Sequence, residues 1–262
     1  MTTLTQSTPD IRPAEARIRR IDAADLRWAL REGWNDFRSM RGDILFAALL
    51  YPLIGLIAAA LTFDTRLLPL FFPLVAGLSI LGPIVSSGFY ELARRREEGL
   101  EANWTHFLDP IRERRRGIVE LTIWLLVLFL IWLGVAWLVY DLTLGALAPT
   151  DLGSFLSALF TTREGWMMIV LGNLAGALLA AGTLATTLVA APMVVDKAVE
   201  ADSAIAVSLR ATRANAGAVA RWGMIVAALL VIGAIPIFIG LAVVLPVLGY
   251  ATWHLYTRLV ER

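Results

Sequence analysis

The chain alternates between long apolar runs and short stretches that hold almost all of its charges. Five runs are visible, at residues 44–63, 67–90, 118–140, 166–195 and 222–253. An apolar run of about 18 residues or more is long enough for a helix to cross a hydrocarbon layer about 30 Å thick. The pattern therefore predicts an all-α fold, a polytopic transmembrane helical bundle.

The last run, residues 222–253, is too long for one span. A straight helix of that length would measure about 48 Å, which exceeds the thickness of the apolar layer. Pro236 and Gly240 lie near its middle, and both residue types favour a turn. We therefore divide this run in two, which gives six predicted spans at about 44–63, 67–90, 118–140, 166–195, 218–235 and 239–257.

The positions of the basic residues predict the orientation of these spans. With six spans, every Lys and Arg except Arg66 and Arg163 falls on one side of the membrane. Basic residues are enriched on the cytoplasmic side, so the sequence predicts that both termini are cytoplasmic. The expected location is a bacterial inner (cytoplasmic) membrane.

The segments outside the spans follow a second pattern. Residues 1–20 are polar and predict a disordered tail, which leaves residues 21–262 as a single integral membrane domain. Leu26, Leu30, Trp34 and Phe37 recur at helical spacing, which is typical of an amphipathic helix lying on the cytoplasmic membrane surface. A similar helix is predicted near residues 203–216. The expected membrane-interface anchors are Trp34, Tyr90, Trp222, Trp253, Arg210 and Arg213.

The amino-acid composition limits the kinds of site that the protein can contain. Hydrophobic residues make up 58% of the chain and charged residues 17%, so the expected surroundings are lipid. Zero cysteines exclude a disulfide framework, a thiolate nucleophile and a Cys-based metal site. We expect no cofactor and no nucleic-acid partner; the expected partners are the lipid bilayer and another membrane protein complex.

The two histidines, His106 and His254, are both expected at the cytoplasmic edge, near Glu91 and Asp109. Two imidazoles and two carboxylates are suitable ligands for a metal ion or for a hydrolytic water. Their spacing matches no metal or nucleophile motif, however, and interface histidines more often bind water or headgroups. The sequence therefore predicts no enzyme, with these four residues as a speculative alternative.

The fourth span contains the most polar residues of any span interior: Asn173, Thr183, Thr186 and Thr187. They fit either a hydrophilic path or interhelical hydrogen bonds, and we favour the second interpretation. Gly172, Gly176 and Ala180 recur every four residues on this span. Small residues at that spacing allow another helix to approach closely, so they are the predicted helix-packing seam.

Three blocks of sequence resemble a known family. They read GPIVSSGFYEL at 82–92, PMVVD at 192–196 and VLPVLGYATWHLY at 244–256. Together they are similar to a bacterial family of predicted integral membrane proteins of unknown function. Some members of that family carry the label of putative cytochrome c oxidase subunit. A catalytic oxidase subunit holds its haems and copper through more histidines than the two present here, so the resemblance implies at most an accessory subunit.

The leading hypothesis is a non-catalytic multi-pass membrane protein that acts as an accessory, assembly or regulatory component of a larger membrane complex. The alternative is a permease or channel for a neutral or amphiphilic small molecule that moves along the fourth span. A charged residue deep in a span is the usual mark of ion-coupled transport, and only Glu120, near a span end, comes close to that description.

Overall fold

The computed structural model describes residues 16–40, 82–147, 149, 151–197, 199–235 and 240–261. Within this part of the chain the regular structure is helical, without a strand. The α-helices are α1 (Ala23–Ser39), α2 (Gly82–Glu97), α3 (Asp109–Glu113), α4 (Arg115–Leu142), α5 (Leu152–Thr161), α6 (Arg163–Thr187), α7 (Ala190–Asp196), α8 (Ala201–Ala214), α9 (Ala216–Ala234) and α10 (Leu241–Leu259). Short 3-10 helices at Trp104–Leu108 and Leu144–Leu147 complete the fold.

Three stretches of helix are long and apolar enough to cross a membrane, among the residues described. They are Arg115–Leu142, Arg163–Asp196 and Ala216–Ala234. They coincide within a few residues with the third, fourth and fifth predicted spans. The predicted first span, most of the second and the turn at 236–239 lie outside the described residues.

The sixth predicted span corresponds to α10, which has 19 residues but is not one of those three stretches. Its second half carries Trp253, His254 and Arg258, which lower its mean hydropathy. This half is buried in protein: Tyr250, Trp253 and Tyr256 each have 0% of their surface exposed. Polar groups are tolerated there because neighbouring helices, rather than lipid, surround them.

The fourth predicted span is divided near its C-terminal end. α6 ends at Thr187 and α7 begins at Ala190. Ser208 of α8 bridges this break: its hydroxyl donates to the Ala185 carbonyl (2.8 Å) and accepts from the Val189 N–H (3.1 Å). Backbone groups freed from a helix inside a membrane protein need such partners, and Ser208 is fully buried.

Helix α1 was predicted to lie on the membrane surface, but it packs against α10 instead. A Cβ at Gly33 would lie 2.6 Å from the Ala251 nitrogen and 2.7 Å from the Val247 oxygen, so the two backbones are in direct contact. Leu26 and Phe37 of the predicted stripe are buried, while Trp34 remains 45% exposed. The amphipathic pattern was read correctly, but its apolar side faces protein, because glycine permits an approach that the periodicity does not reveal.

Residues 16–20 are not part of a disordered tail, because they pair with residues after α10. Ile18 and Val260 form an antiparallel bridge, with hydrogen bonds from Arg19 N–H to the Leu259 carbonyl (2.8 Å) and from Glu261 N–H to the Arg17 carbonyl (3.1 Å). Asn215, between α8 and α9, donates to the Arg19 carbonyl and accepts from Ile21 N–H. Residues 1–15 lie outside the described part.

Candidate functional site

The buried core is centred on the second half of α10. Two glycine contacts position the neighbouring helices around it: Gly33 brings α1 to Ala251, and a Cβ at Gly249 would lie 2.9 Å from the Cβ of Phe89 on α2. Phe89 also packs edge-on against Tyr250, with ring centroids 5.4 Å apart. Small residues on two sides of α10 thus let α1 and α2 approach closely enough for side chains to pair across both interfaces.

Three aromatic side chains of α10 each bind a carboxylate from a different helix. Trp253 Nε1 donates to Glu97 of α2 at 3.1 Å. His254 Nε2 lies 2.7 Å from Oδ2 of Asp36, in α1. The Tyr256 hydroxyl donates to Asp196 of α7 at 2.7 Å. We call these six residues the C-terminal hub.

The hub is tightest around Asp36, which is 6% exposed. One oxygen of its carboxylate accepts from His254, and the other lies 3.1 Å from Nη1 of Arg96, on α2. Arg96 also donates to the Ser39 hydroxyl of α1. Asp36 therefore joins three helices, and hydrogen bonds to charged groups are among the stronger ones in proteins.

His254 is enclosed by aromatic and cationic neighbours. Trp28 of α1 meets its ring edge-on at 5.5 Å between centroids, and the Arg258 guanidinium lies 4.1 Å above the Trp28 ring. Arg258 in turn approaches Asp25 at 4.0 Å. The His254 side chain is thus used for packing α1 onto α10.

A second polar cluster joins α2 to the segment before α4. Arg95 lies 3.5 Å from Glu91, 3.7 Å from Asp109 and 3.4 Å from the His106 ring, while His106 Nδ1 pairs with Asp109 at 2.8 Å. Arg94 binds Glu91 at 2.7 Å, and this hydrogen bond raises the pKa of the Arg94 guanidinium above its usual value. Two guanidinium groups therefore neutralise the buried Glu91 carboxylate.

The four residues of the speculative metal site do not come together as a ligand set. His106 pairs with Asp109, His254 pairs with Asp36, and the cationic Arg95 lies between Glu91 and Asp109. In the part of the chain that the structure describes, no three His, Asp or Glu side chains are placed to hold a metal ion. An arginine between two carboxylates provides the positive charge that a metal would otherwise supply.

The predicted helix-packing seam on α6 is used at one of its three positions. A Cβ at Gly176 would lie 3.1 Å from the Trp132 ring of α4, so the two helices meet there. Gly172 has open space beside it and Ala180 is exposed. Within the part of the chain that the structure describes, these two positions are accessible to a further helix.

The threonines of α6 bind their own helix. The hydroxyls of Thr183, Thr186 and Thr187 donate to carbonyls one turn earlier, and Asn173 donates to the Ile169 carbonyl in the same way. Thr186 also accepts from Trp124 Nε1 of α4 at 3.3 Å. Of the four residues, only Thr186 is shown with the interhelical hydrogen bond that we favoured over a hydrophilic path; the bonds of Asn173, Thr183 and Thr187 are to carbonyls of their own helix.

The six predicted membrane-interface anchors divide into two groups. Tyr90, Trp222 and Trp253 are at most 3% exposed and are therefore surrounded by protein rather than by headgroups. Trp34 is 45% exposed, and Arg210 and Arg213 lie on the exposed side of α8. Other helices of the protein cover the three buried rings, whereas Trp34, Arg210 and Arg213 are accessible.

Sequence reasoning missed the hub acids Asp36, Glu97 and Asp196, together with Ser208 and Asn215. Their partners are between 19 and 218 residues away, so no local motif contains both members of a pair. Glu120, the acid near a span end, pairs with Arg116 and accepts the Ala201 N–H that begins α8, at 3.0 Å each.

Comparison with known proteins places the chain among membrane proteins. Residues 71–196 match the family model described as "Predicted integral membrane protein (DUF2189)". This match confirms the resemblance inferred from the sequence, and the description names no oxidase. Curated proteins and solved structures give no match. Membrane localisation is therefore supported by both the family and the apolar helices, while the family itself has no known function.

Proposed function

We propose that this protein is a non-catalytic multi-pass inner-membrane protein that serves as an accessory, assembly or regulatory component of a larger membrane complex. The observation that carries the proposal is the distribution of polar and apolar side chains in the described part of the fold. The described polar groups that lie inside the helical core bind one another, whereas large apolar side chains face outward.

The outward apolar surface covers three helices. α4, α6 and α9 each expose several large hydrophobic residues by roughly half of their surface or more, among them Leu130, Trp137, Val170, Leu174, Leu178, Met224, Val231 and Ile232. Exposed apolar surface of this extent contacts lipid or another protein. Since van der Waals packing and small residues drive helix association in membranes, a partner helix would pack where Gly172 and Ala180 leave space.

The inward polar groups support a structural role over catalysis or transport. Trp253, His254 and Tyr256 are committed to interhelical hydrogen bonds, and the α6 threonines to backbone carbonyls. A permease would need such groups to face a path. Their engagement favours the accessory role over the permease.

We also propose six spans with both chain ends in the cytoplasm. The pairing of Arg17 and Arg19 with residues 259–261 supports this arrangement, because segments joined by backbone hydrogen bonds lie on the same side of a membrane. An even number of spans follows. The arginine-rich stretches at 94–96 and 112–116 support the cytoplasm as that side.

The test is affinity purification in a mild detergent followed by mass spectrometry. We expect a stoichiometric membrane partner with the wild-type chain and its loss with Gly172→Leu/Ala180→Leu, which fills the free positions of the seam. The matched control is Gly134→Leu/Ala227→Leu on α4 and α9, where the added side chains also face outward, and it should retain the partner. Recovery of the bare wild-type chain in several mild detergents would contradict the proposal.

A further inference from the structure

A groove between α1 and α9 combines two arginines with an apolar floor. It is lined by Ala23, Leu26 and Arg27 of α1 and by Arg221, Met224, Ile225 and Ala228 of α9. Arg27 and Arg221 are separated by 194 positions in the sequence, and the fold brings them to the same depression. Both are exposed, and neither forms an ion pair within the described residues.

The residues on α9 form a single stripe. Arg221, Met224, Ile225 and Ala228 are spaced at i, i+3, i+4 and i+7, so they lie on one face of the helix. Arg221 is near the start of this candidate span, and the apolar members follow it toward the membrane interior. Met224 is 64% exposed. A charge at the interface is thus followed directly by an open apolar track of Met224, Ile225 and Ala228, about one helical turn long.

Two acids close to Arg27 in the sequence, Asp22 and Asp25, are already engaged. The Asp22 carboxylate accepts from the N–H groups of Ala24 and Asp25, and the Asp25 carboxylate accepts from Asp22 N–H, which completes the cap of α1. Asp25 also lies 4.0 Å from Arg258. The positive charge at the head of the groove therefore remains available to an anion.

A second depression, at the start of α4, provides a contrast. It is lined by Arg115, Arg116, Val119 and Glu120 at the start of α4. There Arg116 is neutralised by Glu120 at 3.0 Å and by Glu200 at 2.7 Å. Arginines at both depressions lie at a span end, but two unpaired guanidinium groups converge only on the groove between α1 and α9, of these two sites.

We propose that this groove binds an anionic phospholipid. The headgroup phosphate lies between Arg27 and Arg221, and one acyl chain follows Met224, Ile225 and Ala228. Charge complementarity selects the anionic headgroup, since guanidinium groups bind phosphate through paired N–H donors. The apolar track selects a lipid over a free anion. The inference does not depend on the accessory role proposed above, because it concerns only the recognition of the surrounding bilayer.

The test is native mass spectrometry of the full chain in a neutral detergent, titrated with phosphatidylglycerol or with phosphatidylcholine of the same acyl chains. We expect tighter binding of phosphatidylglycerol to the wild type. Arg27→Gln/Arg221→Gln should weaken that binding about thirtyfold, the fold-change for two arginines that each contribute about 1 kcal/mol near a membrane surface. The control Arg112→Gln/Arg115→Gln removes the same charge elsewhere on the cytoplasmic side and should change binding by less than about threefold.

Two further measurements complete the test. One distinguishes a lipid headgroup from free phosphate, and the other adds a variant that leaves both arginines in place. Ala228→Phe fills the apolar track without changing charge and should weaken lipid binding, while inorganic phosphate at the lipid's concentration should not displace it. Equal affinity for the two lipids would overturn the proposal. It would also be overturned by a loss in the control as large as that in the Arg27/Arg221 variant, by unchanged binding to Ala228→Phe, or by full displacement with inorganic phosphate.

Discussion

At the scale of single residues, Asp36 of the C-terminal hub links three helices, because its carboxylate binds side chains of α2 and α10. It is nearly inaccessible to solvent and accepts from His254 and Arg96 through different oxygens. Loss of one partner from a buried hydrogen bond is costly because the remaining groups keep their desolvation penalty without compensation. The side chain of Asp36 therefore stabilises the contacts of α1 with both α2 and α10.

We expect Asp36→Ala to lower the free energy of unfolding by about 2–3 kcal/mol, since it leaves His254 and Arg96 without their carboxylate. The measurement is thermal unfolding in mild detergent, followed by circular dichroism. Glu32→Ala is the matched control, because it removes a carboxylate from the same helix outside the hub and should shift the midpoint little. Equal midpoints for the two variants would mean that Asp36 contributes no specific stabilisation.

At the scale of helices, the contact of α1 with α10 depends on Gly33. The neighbouring atoms are backbone atoms of Val247 and Ala251, which cannot rotate away as a side chain could. Close helix contacts at glycine are common in membrane proteins because they gain van der Waals packing along two backbones. A single added side chain at position 33 is therefore incompatible with the observed packing distance.

We expect Gly33→Leu to displace α1 from α10 while the remaining helices stay folded. Trypsin should then cleave after Arg27 and Arg31 at protease concentrations that leave the wild-type protein intact, which gel electrophoresis and mass spectrometry detect. Gly217→Leu is the control, because a Cβ at Gly217 meets open space. Wild-type protease resistance in Gly33→Leu would indicate that the interface tolerates a wider separation than the structure has.

At the scale of the whole molecule, the topology depends on whether the chain ends share a compartment. Residues 17–19 pair with residues 259–261, which fits an even number of crossings. We expect a fluorescent reporter that folds only in the cytoplasm to be active at either end, and alkaline phosphatase, which is active only outside, to be inactive at both. A fusion to the outer loop near residue 148 should give the opposite pattern. Opposite results at the two ends would refute the six-span topology.

The long apolar helices could be predicted from the sequence, but the contacts between residues far apart in the chain could not. The helices at 115–142, 163–196 and 216–234 were predicted within a few residues, because a long apolar run is a local signal. The break at Leu188 and Val189 was not, since the serine that stabilises it is on another helix. The hub pairs residues from 60 to 218 positions apart. Asp36 lies in a helix whose spacing of apolar residues suggested contact with lipid. No sequence pattern therefore indicated that its carboxylate is buried.

The helix that supplies the hydrogen-bond donors of the hub, α10, is synthesised after the helices that supply the acids. Asp36, Glu97 and Asp196 leave the ribosome well before Trp253, His254 and Tyr256, so their hydrogen bonds to α10 form late in synthesis. Until α10 is made, these three acids lack their contacts with it, and Gly33 of α1 lacks the backbone of Ala251 against which it packs. We expect α1, α2 and α7 to take up their final arrangement only once α10 has been inserted.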